Sequence, residues 1–134
     1  MINLLLREIE RFHEQLGTVG GVRDIGLVES AVYSAFQSAG GQDAYPTIFD
    51  KAAQLFYKLV MNHGFVDGNK RVAAHTLNVF LRVNGLYLNV DDDQFYRVAI
   101  DTAAGKLGTD DLRDWLLKNV TGAIFITGKI TIKQ

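Results

Sequence analysis

The chain has 134 residues, of which 48% are hydrophobic and 22% are charged, a size and balance that suit one globular domain. Its 14 Lys and Arg nearly cancel its 15 Asp and Glu, so no broad cationic surface is expected to bind nucleic acid or anionic lipid. Cysteine is absent, which excludes disulfides, thiolate catalysis and cysteine-ligated metals. The apolar runs are too short to span a bilayer and the first residues do not resemble a signal peptide, so we expect a cytoplasmic protein.

The hydrophobic pattern at the start of the chain predicts two helices. Apolar residues recur one helical turn apart over Ile2–Leu16, and Gly17 is expected to end this first helix. Asp24 is the expected N-cap of a second helix that runs to about Ala39 and is ended by Gly40-Gly41.

The middle of the chain predicts an exposed loop followed by two core helices. Gly40–Thr47 has no hydrophobic period, which is typical of a loop or flap. Asp50 can cap a third helix, whose apolar residues fall on one face. A fourth helix spans Asn69–Asn84 and ends at Gly85. Because it is apolar on nearly every face, we expect it to be central and mostly buried.

The last third of the chain predicts two shorter helices. One covers Asp92–Ala103, with Asp91 or Asp92 as its cap, and the other covers Asp110–Asn119, capped by Thr109.

A change of pattern near the C-terminus predicts strands. Apolar and polar residues alternate over residues 123–132 around Gly128-Lys129, and a glycine at the first turn position is typical of a type II′ hairpin. The predicted fold is therefore all-α, a compact bundle around a central buried helix, with a small C-terminal β-hairpin. We divide the chain into a helical domain over residues 1–122 and a hairpin extension over residues 123–134, packed on that domain or on a partner.

Polar residues are concentrated between the third and fourth helices, over residues 63–71 (His-Gly-Phe-Val-Asp-Gly-Asn-Lys-Arg). Gly68 permits a tight turn, after which Asn69, Lys70 and Arg71 lie in the first turn of the fourth helix. Free backbone N–H groups and the positive end of the helix dipole favour an anion there. Cations are unfavourable at this end of a helix, and a bound polyphosphate would remove that conflict.

Two further side chains of this segment can perform chemistry. Asp67 could hold Mg²⁺, because this ion takes one or two carboxylates and fills its other positions with water and phosphate oxygens. His63 could accept a proton from an attacking hydroxyl, since imidazole titrates near neutral pH. Phe65 is expected to anchor the loop in the core. The alternative interpretation is an ordinary capped helix start, with Lys70 and Arg71 solvated and His63 simply ending a helix.

The order His-x-Phe-x-Asp-Gly-Asn-Lys-Arg resembles the signature of the Fic/Doc family. Its lysine before the arginine resembles the death-on-curing (Doc) branch, the toxin half of bacterial toxin–antitoxin pairs. Residues 23–31, 40–47 and 80–85 also resemble family segments in the same order, so that the resemblance covers about residues 1–107. It implies a compact all-α fold in which the motif loop precedes a central buried helix.

The resemblance also implies roles for individual residues. His63 would be the general base for a hydroxyl of a target protein, and Asp67 would ligate Mg²⁺. Residues 40–47 resemble the flap that aligns a target peptide. The phosphates of ATP would lie in a cradle of four consecutive residues, Gly68, Asn69, Lys70 and Arg71.

Two positions distinguish the possible reactions. Most Fic proteins transfer AMP and carry glycine where this chain has Lys70, and a second arginine where it has Ala74. The Doc branch transfers the γ-phosphate of ATP to a threonine of translation elongation factor Tu, which blocks translation. The resemblance therefore implies a protein kinase, with AMP transfer as the alternative. The chain departs from the branch at Gly64, where a bulkier residue or proline is usual, and at Val72, where threonine is common.

Other polar residues have simpler interpretations. His75 lies one turn after Arg71 and is expected to be a core histidine with a hydrogen-bond partner. His13 is expected to be a surface or core residue without a functional role. Asp91–Asp93 precede a helix and are expected to cap it and complement its dipole, in preference to binding a metal.

The expected partners are proteins. Inhibitory motifs of the family place glycine or asparagine after a glutamate, and none of the glutamates here is followed by either, which implies an antitoxin supplied in trans. Its natural mode of binding is an amphipathic helical segment in a groove near the motif. A rival hypothesis is a non-catalytic nucleotide- or protein-binding module of the same fold. The oligomeric state is left open.

Overall fold

The computed structural model describes residues 1–126 and 129–133, with side chains through residue 122. The described part is mostly helical and confirms the predicted fold class. None of its helices is long and apolar enough to cross a membrane. The elements in chain order are α1 (Ile2–Leu16), α2 (Ile25–Ser34), β1 (Ser38–Ala39), β2 (Gln42–Asp43), α3 (Ile48–Asn62), α4 (Asn69–Val83), β3 (Leu86–Leu88), α5 (Asp92–Ala103), α6 (Thr109–Asn119), β4 (Val120–Ile126) and β5 (Lys129–Lys133).

Helix α4 packs against α1, α3, α5 and β3, as predicted for a central helix. One face of it is buried, whereas Val83 in its last turn is 48% exposed, so the apolar sequence is not covered on every side. Burial of this face against α3 is a main source of stability, because each fully buried large apolar side chain contributes about 1.5–3 kcal/mol. The buried residues of α4 are Val72, Ala73, Thr76, Leu77, Phe80 and Leu81.

Helix α2 is shorter than predicted. Asp24 caps it as expected, since its side chain accepts a hydrogen bond from the Gly26 amide, but the helix ends at Ser34 and does not reach Ala39. The reason lies in Gly40-Gly41, where both residues have positive φ (59° and 81°). This conformation forms a tight hairpin turn joining β1 and β2, and residues 38–39 must be extended to pair across it.

Two helices begin earlier than predicted. In each, a carboxylate of the first turn accepts a hydrogen bond from the backbone amide of the N-cap residue. Asp50 does not cap α3; it is the third helical residue, and it exchanges hydrogen bonds with the N-cap Thr47 in a capping box. Likewise Thr109 is already helical in α6, and the Gly108 amide donates to the Asp111 carboxylate. In α3, the first-turn residue Asp50 was predicted to be the N-cap, but Thr47 occupies that position.

The C-terminal strands join the helical part through a strand that the sequence did not predict. β3 pairs with β4, and β4 pairs with β5, in an antiparallel sheet. Gly122 permits this close approach, because a Cβ at this position would lie 2.6 Å from the Gly85 carbonyl oxygen. Ile126 pairs with Lys129, so Lys129 belongs to β5 and not to the turn as predicted; Gly128 lies outside the described residues. The proposed boundary at residue 122 falls within β4.

Candidate active site

Residues 63–68, called the motif loop here, connect the end of α3 to the start of α4. Both ends of the loop adopt the left-handed backbone conformation. His63 has φ 52° at the C-cap of α3, and Gly68 has φ 88° at the N-cap of α4. His63 is the only non-glycine residue with positive φ among the residues that the structure describes. Such a conformation is tolerated only where the surroundings hold it, and it is frequent at functional sites.

One edge of the motif loop pairs with the segment before α2 as a short strand would. Val22 and Phe65 form an isolated antiparallel bridge. The Gly64 carbonyl accepts hydrogen bonds from the amides of Arg23 (2.8 Å) and Asp24 (3.0 Å). The side chain of Arg23 continues this edge, since its Nε–H donates to the His63 carbonyl at 2.8 Å. A second guanidinium nitrogen of Arg23 donates to the Asn62 carbonyl at 3.4 Å, so hydrogen bonds hold the backbone on both sides of the His63 Cα.

The other edge of the motif loop is held by Asn69. Its Oδ1 accepts from the Phe65 amide at 3.0 Å, and its Nδ2 donates to the Phe65 carbonyl at 2.9 Å. The side-chain amide therefore takes the place of a neighbouring peptide group. Both functional atoms of this side chain serve the loop, so the contribution of Asn69 to the predicted phosphate cradle would come from its backbone N–H.

The two departures from the family pattern have structural explanations. Gly64 is buried, and a Cβ there would lie 2.4 Å from Cγ2 of Val28 and 3.2 Å from its backbone nitrogen. The position is thus closely packed against α2, and a larger residue would need a smaller one at position 28. Val72 is 1% exposed and belongs to the core, where an apolar side chain is suited.

We expect Gly64→Ala to destabilise the protein by about 1–3 kcal/mol, because the added methyl group overpacks this contact. The double variant Gly64→Ala/Val28→Ala is expected to lose less free energy of unfolding than the sum of the losses in the two single variants. Urea unfolding of the four proteins in a double-mutant cycle measures this coupling. Strictly additive effects would show that the contact with Val28 is not what constrains position 64.

The start of α4 is uncapped by side chains of residues 1–122 and opens onto a cavity. None of the described side chains caps α4, and its first turn contains no acidic residue. A cavity of about 320 Å³ opens at this helix end. Five of the six residues predicted for the site line this cavity together with Tyr96, namely Asp67, Gly68, Asn69, Lys70 and Arg71. His63 is exposed on the motif loop and does not line the cavity.

A second cavity of about 490 Å³ adjoins the first and shares Lys70, Arg71 and Tyr96 with it. Tyr96 lies on α5 and is 58% exposed, and the sequence contained no local signal that would have selected it. Ala74, the position of the second arginine in many Fic proteins, also lines this larger cavity. The only basic side chains at the junction of the two cavities are therefore Lys70 and Arg71, among the described residues that line them.

Asp67 presents one carboxylate to solvent beside these cations. Its Oδ1 accepts from the Gly68 amide at 2.8 Å, while its Oδ2 lies 3.8 Å from an Arg71 nitrogen. The side chain remains 64% exposed, so this ion pair contributes little to stability. An exposed carboxylate oxygen beside this cavity suits Mg²⁺, which needs one or two protein carboxylates when phosphate supplies further oxygens.

His75 has the hydrogen-bond partner that was predicted, but it is not fully in the core. Its Nε2 lies 3.2 Å from the Glu8 carboxylate, its ring stacks on Phe12 at 4.0 Å, and it lines the larger cavity. The hydrogen bond from Arg11, and after it the weaker effect of the hydrogen bond from His75, holds the pKa of the Glu8 carboxyl below its usual value. The stacked rings give this cavity an aromatic wall.

Asp91–Asp93 behave as a helix cap. Asp91 accepts from the Gln94 amide at 2.8 Å in a capping box, as expected. The residues described by the structure contain no cluster of three or more His, Asp or Glu suited to a metal. Asp92 and Asp93 instead line the larger cavity.

The hairpin of β1 and β2 precedes α3 in the chain, and the segment is hydrogen-bonded to that helix. The Nζ of Lys51 donates to the Asp43 carboxylate at 3.0 Å and also to the carbonyl of Tyr45. Of the predicted flap, residues 40–47, all are exposed except Tyr45, which is partly buried. Lys51 was not selected from the sequence, since a lysine in the first turns of a helix carries no distinctive signal.

Known proteins resemble this chain in sequence over the helices that surround the motif loop. The Fic/DOC family profile matches residues 3–81, which run from the second residue of α1 into the last turn of α4 and include the whole motif loop. The chain belongs to the Fic/Doc family. A curated relative, Toxin Doc from Mycolicibacterium smegmatis, is 47% identical over 72 residues, which are 54% of this chain. The chain spans about half the length of that relative, 55%.

Proposed function

We propose that this protein is the toxin of a toxin–antitoxin pair and transfers the γ-phosphate of ATP to a hydroxyl of a target protein. A threonine of translation elongation factor Tu is the acceptor we favour, so that the consequence would be blocked translation. The observation that carries the proposal is the cavity at the uncapped start of α4. There two cations and one exposed carboxylate, Asp67, meet free helix N–H groups, a combination suited to a polyphosphate with a divalent cation.

The adjoining larger cavity suits the nucleoside of ATP. Its wall contains the stacked rings of Phe12 and His75 and the ring of Tyr96, which can pack against a base. The carboxylates of Asp92 and Asp93 in the same cavity can accept hydrogen bonds from ribose hydroxyls.

Two lining residues favour phosphate transfer over AMP transfer. Lys70 replaces the glycine of AMP-transferring relatives and adds a cation where the two cavities meet. Ala74 provides no second guanidinium for the nucleotide pose that AMP transfer uses. Phosphoryl transfer depends on positioning and on neutralising charge at the transferred group, which Lys70 and Arg71 can do.

The acceptor side of the reaction would lie outside the nucleotide cavity. A target hydroxyl would lose its proton to the His63 imidazole as its oxygen bonds to the γ-phosphorus. The bond from that phosphorus to the β–γ bridging oxygen would break, and ADP would leave. An exposed His63 can be reached by a protein substrate, and the flap over residues 40–47 would align the target segment.

Mg²⁺ would be held by Asp67 and would neutralise phosphate charge when bound. Asp67 is suited to this because the hydrogen bond from Gly68 fixes one carboxylate oxygen and leaves the other exposed.

Labelled ATP tests the proposed reaction. With elongation factor Tu and Mg²⁺, we expect label from γ-labelled ATP to appear on the factor, and no label from α-labelled ATP. Mass spectrometry of the product would locate the phosphate on a threonine. Label from α-labelled ATP would establish AMP transfer instead, and the absence of both would support a non-catalytic binding module.

The antitoxin we propose would occupy the groove between α1 and α2. This groove of about 650 Å³ has an apolar floor that includes Ile9, Ile25 and Phe65, and an acidic rim. It suits an amphipathic helical segment with basic residues along one side. Co-expression of the product of a neighbouring reading frame is expected to restore growth. In the purified complex, that product is expected to slow amide hydrogen exchange along the groove. The rim carboxylates are Glu10, Glu14 and Glu29.

A further inference from the structure

His13 on α1 is buried, 7% exposed, and lies directly beneath the motif loop. Sequence reasoning gave it no function. Its Nε2 lies 3.0 Å from the carbonyl oxygen of Asp67, a residue 54 positions further along the chain. Because a carbonyl oxygen only accepts hydrogen bonds, this nitrogen carries the proton and donates it. The Oγ1 of Thr18 lies 3.1 Å from the same nitrogen and completes its surroundings.

A second contact joins His13 to the loop. Its ring stacks on the ring of Phe65, with centroids 3.8 Å apart and planes 16° from parallel. Gly68 adjoins the same ring, since a Cβ at Gly68 would lie 3.6 Å from Cδ2 of His13. His13 thus contacts two of the motif-loop residues, Asp67 by a hydrogen bond and Phe65 by stacking, and lies next to a third, Gly68.

We propose that His13 is a positioning residue of the phosphotransfer site, and this inference rests on the proposed function. Asp67 has its backbone carbonyl turned toward His13, while its side chain is exposed at the cavity. The hydrogen bond from His13 fixes the peptide group from which this carboxylate extends. Without the hydrogen bond, the packed ring would still fill the space, but the Asp67–Gly68 turn could rotate.

The binding of Mn²⁺, measured by electron paramagnetic resonance in the presence of a non-hydrolysable ATP analogue, tests this role without requiring turnover. His13→Phe keeps a ring to stack on Phe65 and removes the donor. His13→Gln replaces the ring but retains an amide N–H that can reach the carbonyl. Gln15→Ala, an exposed change on the same helix, is the matched control.

We expect His13→Phe to weaken Mn²⁺ binding about 10- to 100-fold, the range found when outer-shell partners of metal sites are lost. His13→Gln is expected to recover most of the affinity, and Gln15→Ala to match the unchanged protein. Equal Mn²⁺ binding by the unchanged protein and His13→Phe would overturn the positioning role alone. Failure of the unchanged protein to bind Mn²⁺ and nucleotide would overturn the proposed function as well. If His13→Phe does not fold, His13→Met also removes the donor and keeps an apolar side chain against Phe65, and the same binding measurement is made on it.

Discussion

Replacing His63 by asparagine is expected to lower phosphate transfer about 10²- to 10⁴-fold, the usual contribution of a general base. Asparagine is the informative substitute because His63 has φ 52°, and asparagine is among the few residues that adopt this conformation readily. The imidazole is thus removed without releasing the backbone that Arg23 holds. Transfer is measured with γ-labelled ATP and elongation factor Tu.

Nucleotide binding provides the internal control for this variant. His63 does not line either cavity at the start of α4, so His63→Asn should bind an ATP analogue as the unchanged protein does. Its melting temperature should also be unchanged. Full transfer activity in a folded His63→Asn variant would show that another group accepts the proton.

Replacing Asn69 by aspartate is expected to destabilise the protein by about 1–3 kcal/mol and to lower transfer about 10²-fold. The change is isosteric, so the Phe65 amide keeps an acceptor. The Phe65 carbonyl, however, loses its donor and faces a carboxylate oxygen. The motif loop would then shift relative to the start of α4, and misplacement of reacting groups by about 1 Å is enough for such a loss.

Urea unfolding and γ-phosphate transfer together measure this effect. Asn3→Asp is the matched control, because it adds the same charge at an exposed position of α1 and should change stability by less than about 0.5 kcal/mol. If Asn69→Asp were as stable and active as Asn3→Asp, the amide of Asn69 would have no part in holding the loop.

The parts of the fold that depend on local sequence were predictable. Helix α5 was predicted with its observed ends because Asp91 begins it with a capping box and the hydrophobic period runs without interruption. Helix α2 was predicted too long because Gly40-Gly41 can end a helix or turn a hairpin. Strand β3 was missed because three residues carry no period, and its pairing partner β4 is distant in sequence.

The candidate site likewise contains some residues that local sequence brings together and others that only the tertiary fold brings together. The cradle residues are consecutive, so a helix start alone brings them together around one cavity. His13, Arg23 and Tyr96 reach the site from α1, the segment before α2, and α5, and only the packing of these elements reveals them. The motif also did not indicate that the side chain of Asn69 forms hydrogen bonds with both backbone groups of Phe65.

Helix α3 carries the flap at one end and the proposed base at the other. Lys51 fixes the flap to its first turns, and His63 follows its last residue. The helix has 15 residues and is therefore a rigid spacer about 22 Å long. Loss or gain of one residue within it would rotate the base by about 100° relative to the flap, so the length of α3 should tolerate no insertions or deletions even where its side chains can vary.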